Sequence, residues 1–178
     1  VSWGIKRKKT PRNNATGRNK YKPRLGFLLQ KSSKSRENNC KNRNFSSGTV
    51  SVSTRQGSRA KNHITHGVNQ AFLAFERGEN LAKDISVEIV LRCSAQRQIS
   101  KAFNILGLKE GEMNLVAVLI NCDDYADELS FIFTPDESVF DCDDEKIREI
   151  YKISDVEAES MSLENILIDR ITKLTVDY

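Results

Sequence analysis

The chain has no apolar run long enough to cross a membrane as a helix. Its longest, Leu115–Ile120, falls far short of the roughly 18 residues that a span needs and suits one buried strand. The first twenty residues are basic and polar and lack the apolar stretch of a secretory signal. The expectations are a soluble, cytoplasmic protein with no membrane partner. Cysteine and histidine are scarce. Cys40, Cys93, Cys122 and Cys142 form no C-x-x-C pair, and the only histidines are His63 and His66, so the clustered spacing of a zinc site is missing. Cys93 and Cys122 end apolar runs, where a reduced, buried thiol serves as a small hydrophobe.

The motifs that carry common chemistries are also missing. There is no G-x-x-x-x-G-K-[ST], G-x-G-x-x-G after a strand, G-x-S-x-G or H-E-x-x-H, which leaves phosphoryl transfer, dinucleotide binding, elbow-type hydrolysis and zinc proteolysis without support. Ser94 with His63 or His66 would be a nucleophile and base only if the fold joined them; a helix-capping serine and a helix-start histidine are the commoner uses. The pairs Asp123-Asp124 and Asp143-Asp144 could hold a cation, yet each stands where a helix start favours negative charge. No catalytic residue, metal or cofactor is expected, and the chain is not read as an enzyme.

What is present is a strong asymmetry of charge. The overall balance is +4, but residues 1–61 hold 17 Lys/Arg against the single acid Glu37, and residues 62–178 hold 11 Lys/Arg against 23 acids. The first part is poor in apolar residues and rich in Lys, Arg, Asn, Ser and Gly, so it cannot bury enough surface to offset the entropy of ordering. Disorder is the expectation for 1–61. Such an arm would bind phosphate backbones without sequence preference, with Tyr21 and Phe27 available for stacking; it would equally serve as a solvated tail. A third reading is that 1–61 is not the natural start, because composition changes abruptly near Ala60 and position 1 is Val. Residues 62–178 read as one globular domain.

Within that domain, Ile64, Val68, Ala71, Phe72 and Phe75 recur at three and four, predicting a helix over about 63–77 with Gly78 as its cap. Val87, Ile89, Leu91 and Cys93 alternate with Glu88, Val90 and Arg92, predicting a half-buried strand. Ser94 would then N-cap a second helix with Ile99, Ala102, Phe103 and Leu106 inward and Gly107 at its end. Asn114–Asn121 predicts a central strand, completing a β-α-β unit. Asp124–Phe133 reads as a helix stopped by Pro135, with strand as the rival for Ser130–Phe133. Asp143 would cap a helix with Ile147, Ile150 and Tyr151, and Leu163, Ile166, Leu167, Ile171 and Leu174 mark a final amphipathic helix. The fold class is α/β, a small mixed sheet with packed helices.

The segment Arg92 to Ser100 gathers small residues, Gln96, Gln98 and the guanidinium of Arg97 around an expected helix start, a seat suited to phosphate or a nucleotide; the plainer alternative is a capped, solvent-facing turn. The run Val87 to Phe103, continued by Leu106-Gly107-Leu108-Lys109-Glu110-Gly111, resembles the core of the kinase-binding subunit of the archaeal KEOPS tRNA-modification complex. Val68-Asn69-Gln70-Ala71 and Lys146 to Ile153 fit the same family, so the likeness covers about residues 63–174.

The resemblance implies a subunit without a catalytic centre. It would bind the small kinase/ATPase subunit directly and stimulate it, reach the catalytic subunit indirectly through that kinase, and recruit tRNA by the 3′ CCA end for threonylcarbamoyladenosine formation at position 37. Carried over by position, Ser94, Gln96, Arg97, Gln98 and Ile99 would hold the tRNA end. The kinase surface is expected on exposed apolar residues near Ile150, Tyr151 and Ile153 and on the last helix, Leu163, Ile166 and Leu167, with plain core packing as an equal alternative for each of them. There are two departures. The family's sheet begins with strands, for which only Leu25–Leu29 and Thr49–Ser53 offer weak candidates here, so an incomplete sheet is expected. The family's glycine is Ala95, a mild change unless the position needs positive φ. Two other classes remain: a general RNA-binding protein acting through its basic arm, and a small enzyme that would need a pocket of perturbed titratable groups.

Overall fold

The computed structural model describes residues 24–30, 49–54, 60–108, 114–120, 129–130, 133–141 and 143–176. Their order is β1 (Arg24–Gln30), β2 (Thr49–Thr54), α1 (Ala60–Arg77), α2 (Ile85–Cys93), α3 (Ile99–Leu106), β3 (Leu115–Ile120), β4 (Thr134–Pro135), a 3-10 turn (Glu137–Phe140), α4 (Asp144–Tyr151), α5 (Asp155–Ser160) and α6 (Leu163–Val176). The chain is α/β in character, with helix predominating.

The strands run in the order β2-β3-β1-β4. β3 pairs parallel to β1, with Leu25 opposite Leu115, and antiparallel to β2, with Thr54 opposite Leu115. β4 is parallel to β1. All six residues of β3 are buried, as a continuous apolar run requires when neither face meets water. Val118 and Ile120 join the main core, formed by Ile64, Val68, Phe72 and Phe75 of α1, Ile85, Ile89 and Leu91 of α2, and Ala102 and Leu106 of α3. A second cluster joins Ile147 and Tyr151 of α4 to Leu163, Ile166 and Leu167 of α6, with Ile153 between them, and Ile105 touches both clusters.

Four expectations need correction. First, the segment Val87–Cys93 is helix, so the β-α-β unit does not form. Asp84 is the N-cap, its carboxylate accepting from the Ser86 N–H at 2.8 Å. The period-two reading assumed that Glu88 and Arg92 face solvent. They are buried instead, as is every residue from Glu88 to Cys93, and burial all round erases the 3.6-residue signal. Second, Ser94 is the C-cap of α2, while the N-cap position of α3 is Gln98. Third, β1 and β2 lie inside the stretch expected to be disordered, and they are the two weak candidates Leu25–Leu29 and Thr49–Ser53, so the sheet does have these strands. α1 also begins at Ala60, ahead of the expected boundary at 62. Fourth, α5 was not expected at all. It carries a capping box in which Ser154 and Glu157 bond reciprocally.

α1 ends at Gly78, φ 77°, and α6 follows its expected face. Asp143 caps α4 as anticipated, accepting from the Glu145 N–H at 3.1 Å. Of the expected helix Asp124–Phe133, only Leu129, Ser130 and Phe133 are among the described residues; Leu129 and Ser130 are helical, and the Phe133 N–H donates to the Leu129 carbonyl. Tyr125 and Ile132 lie outside them, as do Cys40, Cys122, Cys142 and the Asp123-Asp124 pair.

Candidate functional site

The turn between α2 and α3 begins as a Schellman cap. The Ala95 N–H donates to the Arg92 carbonyl at 2.9 Å and the Gln96 N–H to the Leu91 carbonyl at 3.1 Å. This pattern needs a left-handed residue after the cap. Ala95 supplies it, at φ 50°. Replacement of the family's glycine by Ala95 is therefore not a mild change: a Cβ in this region costs about 1–2 kcal/mol. The surroundings must hold the turn in place, and they do so at two points.

The first is the carbonyl of Cys93. His63 lies with Nε2 2.8 Å from this oxygen, so Nε2 carries the hydrogen and donates it, and the Tyr151 hydroxyl donates to the same oxygen at 3.3 Å. The two rings meet edge to face at 6.4 Å. One of the orphan carbonyls at the end of α2 is thus satisfied by side chains from α1 and α4. The second point is a buried ion pair. Arg92 Nε donates to Glu88 Oε1 at 2.8 Å, and neither side chain has exposed surface. Glu88 Oε2 accepts the N–H groups of Leu81 and Ala82, both at 2.8 Å, while Arg92 donates from Nη1 to Thr175 and from Nη2 to the Glu79 carbonyl. A buried pair survives only when its remaining hydrogen-bonding groups are met, and here they are.

The expected tRNA-end residues divide accordingly. Ser94 is buried, with its hydroxyl donating to the Leu91 carbonyl at 3.0 Å, so it builds the turn and presents nothing to a ligand. Gln96 is half-buried, while Arg97, Gln98 and Ile99 are exposed. Arg97 Nη2 also reaches the Leu174 carbonyl at 3.5 Å, near the C-terminal end of α6, where a cation suits the helix dipole. On α3 only Ala102 and Leu106 are buried. Ile99 and Phe103, expected inward, are 48% and 39% exposed. The sequence showed the period of α3, but its inward face is rotated from the one expected, and periodicity alone does not reveal that rotation.

For the residues expected at the kinase surface, the core-packing alternative is the one that holds. Tyr151, Ile153, Leu163, Ile166 and Leu167 are buried and Ile150 is half-buried, all packed in the second cluster. Their i, i+4 spacing is that of a helix interface, and they hold α4 against α6.

Nucleophilic chemistry finds no support at this site: His63 and Ser94 are both committed to backbone carbonyls, and His66 lies 3.0 Å from Thr172 Oγ1, its pKa lowered by burial. Cys93 is buried, which pushes its thiol up to about 12 and leaves no reactive thiolate. Among the described residues no group of three or more His, Cys, Asp or Glu is placed to hold a metal, and no helix is long and apolar enough to cross a membrane.

Residues 59–173, which include the whole of this turn and its supports, match the family described as Kinase binding protein CGI-121. The chain belongs to this family. It is 35% identical over 101 residues to the Regulatory protein Cgi121 of Methanocaldococcus jannaschii, a stretch covering 52% of this chain and 63% of that protein. It is 31% identical over 80 residues to the KEOPS complex subunit Cgi121 of Pyrococcus abyssi, covering 44% of this chain and 47% of that one. The matched stretches thus span less than two thirds of either relative.

Proposed function

We propose that the chain is a non-catalytic, cytoplasmic subunit of a KEOPS-type complex, binding the small kinase/ATPase directly, meeting the catalytic subunit through it, and recruiting tRNA by its 3′ CCA end. The family's description supports the kinase partner, and the name of the Pyrococcus relative supports the complex. The observation that carries the tRNA reading is the turn itself: Arg97, Gln98 and Ile99 are exposed on a cap whose backbone is fixed from behind by His63, Tyr151 and the Glu88–Arg92 pair. Amide and guanidinium groups on a rigid, exposed turn suit the base edges and phosphates of an unpaired strand end. Ser94 supports this site from within. Tyr151, Ile153, Leu163, Ile166 and Leu167, with Ile150, set the position of the α4 and α6 surfaces offered to the kinase rather than forming them.

One observation favours a second reading, in which RNA is bound generally by the basic arm: the excess of 17 Lys/Arg over one acid in residues 1–61. Affinity of the full chain for one tRNA and for the same tRNA trimmed of its CCA end, at two salt concentrations, separates the two. Loss of binding on trimming, and a weakening of about tenfold in Arg97→Ala, as expected for loss of one charge-assisted contact, support the turn. Equal affinities that fall together with salt assign binding to the arm.

A further inference from the structure

Only five large apolar side chains are notably exposed among the described residues, and three of them, Ile99, Phe103 and Leu108, fall on or just after α3. Phe103 is the one aromatic residue of the five. It lies one helical turn beyond Ile99 on the same side of the helix, and Ser100 and Asn104 occupy the exposed surface beside it. The ring also has a backbone support. A Cβ at Gly107 would stand 3.0 Å from Phe103 Cδ1 and closer still to the Phe103 carbonyl, so glycine at this position leaves the ring room to settle.

Charge separates this face from the rest of the domain. Residues 62–178 hold 23 acids against 11 Lys/Arg, yet the stretch from Arg97 to Asn104, exposed except at Ala102, contains no acid and two cations, Arg97 and Lys101. An exposed aromatic next to hydrogen-bonding amides and the exposed cations Arg97 and Lys101, on a domain with an excess of acids, is complementary to an unpaired, negatively charged strand. A basic protein segment would find better charge complementarity elsewhere on a domain that holds 23 acids against 11 Lys/Arg.

We infer that Phe103 is a stacking platform for an unpaired nucleobase, extending the turn at Gln96–Ile99 along α3 so that the site reads single-stranded RNA by its π-face. This inference rests on the tRNA reading above. The base covers the Phe103 ring and the Ile99 side chain, and the backbone on either side of it meets Arg97 and the amides.

The test uses the full chain, intact tRNA and CCA-trimmed tRNA, at a salt concentration high enough to suppress binding by the arm. Phe103→Leu keeps the apolar volume and removes the aromatic face, Phe103→Trp keeps a face, and thermal unfolding checks that both variants remain folded. The expected result is that Phe103→Leu weakens binding of intact tRNA about tenfold, in line with the loss of one stacked base. Trimmed tRNA should be unaffected by it, and Phe103→Trp should bind intact tRNA at least as tightly as the parent. If the parent distinguishes the two tRNAs but Phe103→Leu binds as the parent does, the platform is refuted and the proposed function stands. If Phe103→Leu instead loses the kinase while keeping tRNA, the face belongs to a protein partner and the inference fails. If the parent does not distinguish the tRNAs, the proposed function falls and this inference with it.

Discussion

Gly67 of α1 and Cys93 of α2 approach so closely that a Cβ at position 67 would stand 2.5 Å from the Cys93 sulfur and 3.1 Å from its Cα and its N. The two helices cross with almost no side chain between them at this point, and the crossing lies directly beneath the turn. Gly67→Ala should therefore destabilise the protein by about 1–3 kcal/mol, the usual cost of overpacking. Cys93→Ala in the same chain should restore only part of this, since the Cα and N contacts persist. Urea unfolding of the two single variants and the double variant measures both effects.

Relief of strain at Ala95 works in the opposite direction. At φ 50° glycine would remove a penalty of about 1–2 kcal/mol, offset by roughly 0.5–1 kcal/mol for the added freedom of the unfolded chain. Ala95→Gly should raise stability by several tenths of a kcal/mol or more, seen as a higher thermal midpoint. A lower midpoint would mean that the turn is not held in the left-handed region.

The Glu88–Arg92 pair should behave as one unit. Glu88→Gln or Arg92→Met alone strands a buried charge and should cost about 3–5 kcal/mol. The double variant Glu88→Gln with Arg92→Met should cost less than the sum of the two singles, leaving a coupling energy measurable in a double-mutant cycle. Additive costs would contradict the pairing.

Acid should loosen α5. The Glu157 carboxylate is held below the usual range by the Ser154 N–H, and further by Arg170. A depressed native pKa gives stability that is present above the unfolded pKa and lost as pH falls through the native one. Glu157→Gln should flatten the acid limb of a stability–pH curve, and added salt should shrink the difference, because the group is exposed and screened. An unchanged acid limb would show that the box contributes nothing measurable.

Much of this was readable in the sequence, for identifiable reasons. α1 and α6 are amphipathic with a single wet face, so Ile64, Val68 and Phe72, like Leu167 and Ile171, mark their period plainly. The buried strand β3 was equally plain in its unbroken apolar run. α2 was misread because its two charged residues turn inward to each other, and only the distant partners Leu81, Thr175 and Glu79 make that affordable. The spacing Ser154-x-x-Glu157 is itself the signature of a capping box and marks the start of α5 in the sequence. At the site, the segment carrying Gln96–Ile99 could be located from residue types. The burial of Ser94 and the exposure of Phe103 could not, because both depend on which face of α3 the rest of the fold covers.

The Cys93 oxygen, reached by both His63 and Tyr151, makes the shape of the turn conditional on assembly of the domain. Neither donor is near Cys93 in the chain, and no excised peptide spanning the turn would bring them to it. A nascent or partly unfolded copy would carry the same Gln96, Arg97, Gln98 and Ile99 without the two hydrogen bonds that fix the turn behind them. Under the proposed function, engagement by the turn would double as a quality check, reporting that α1, α2 and α4 have already found one another.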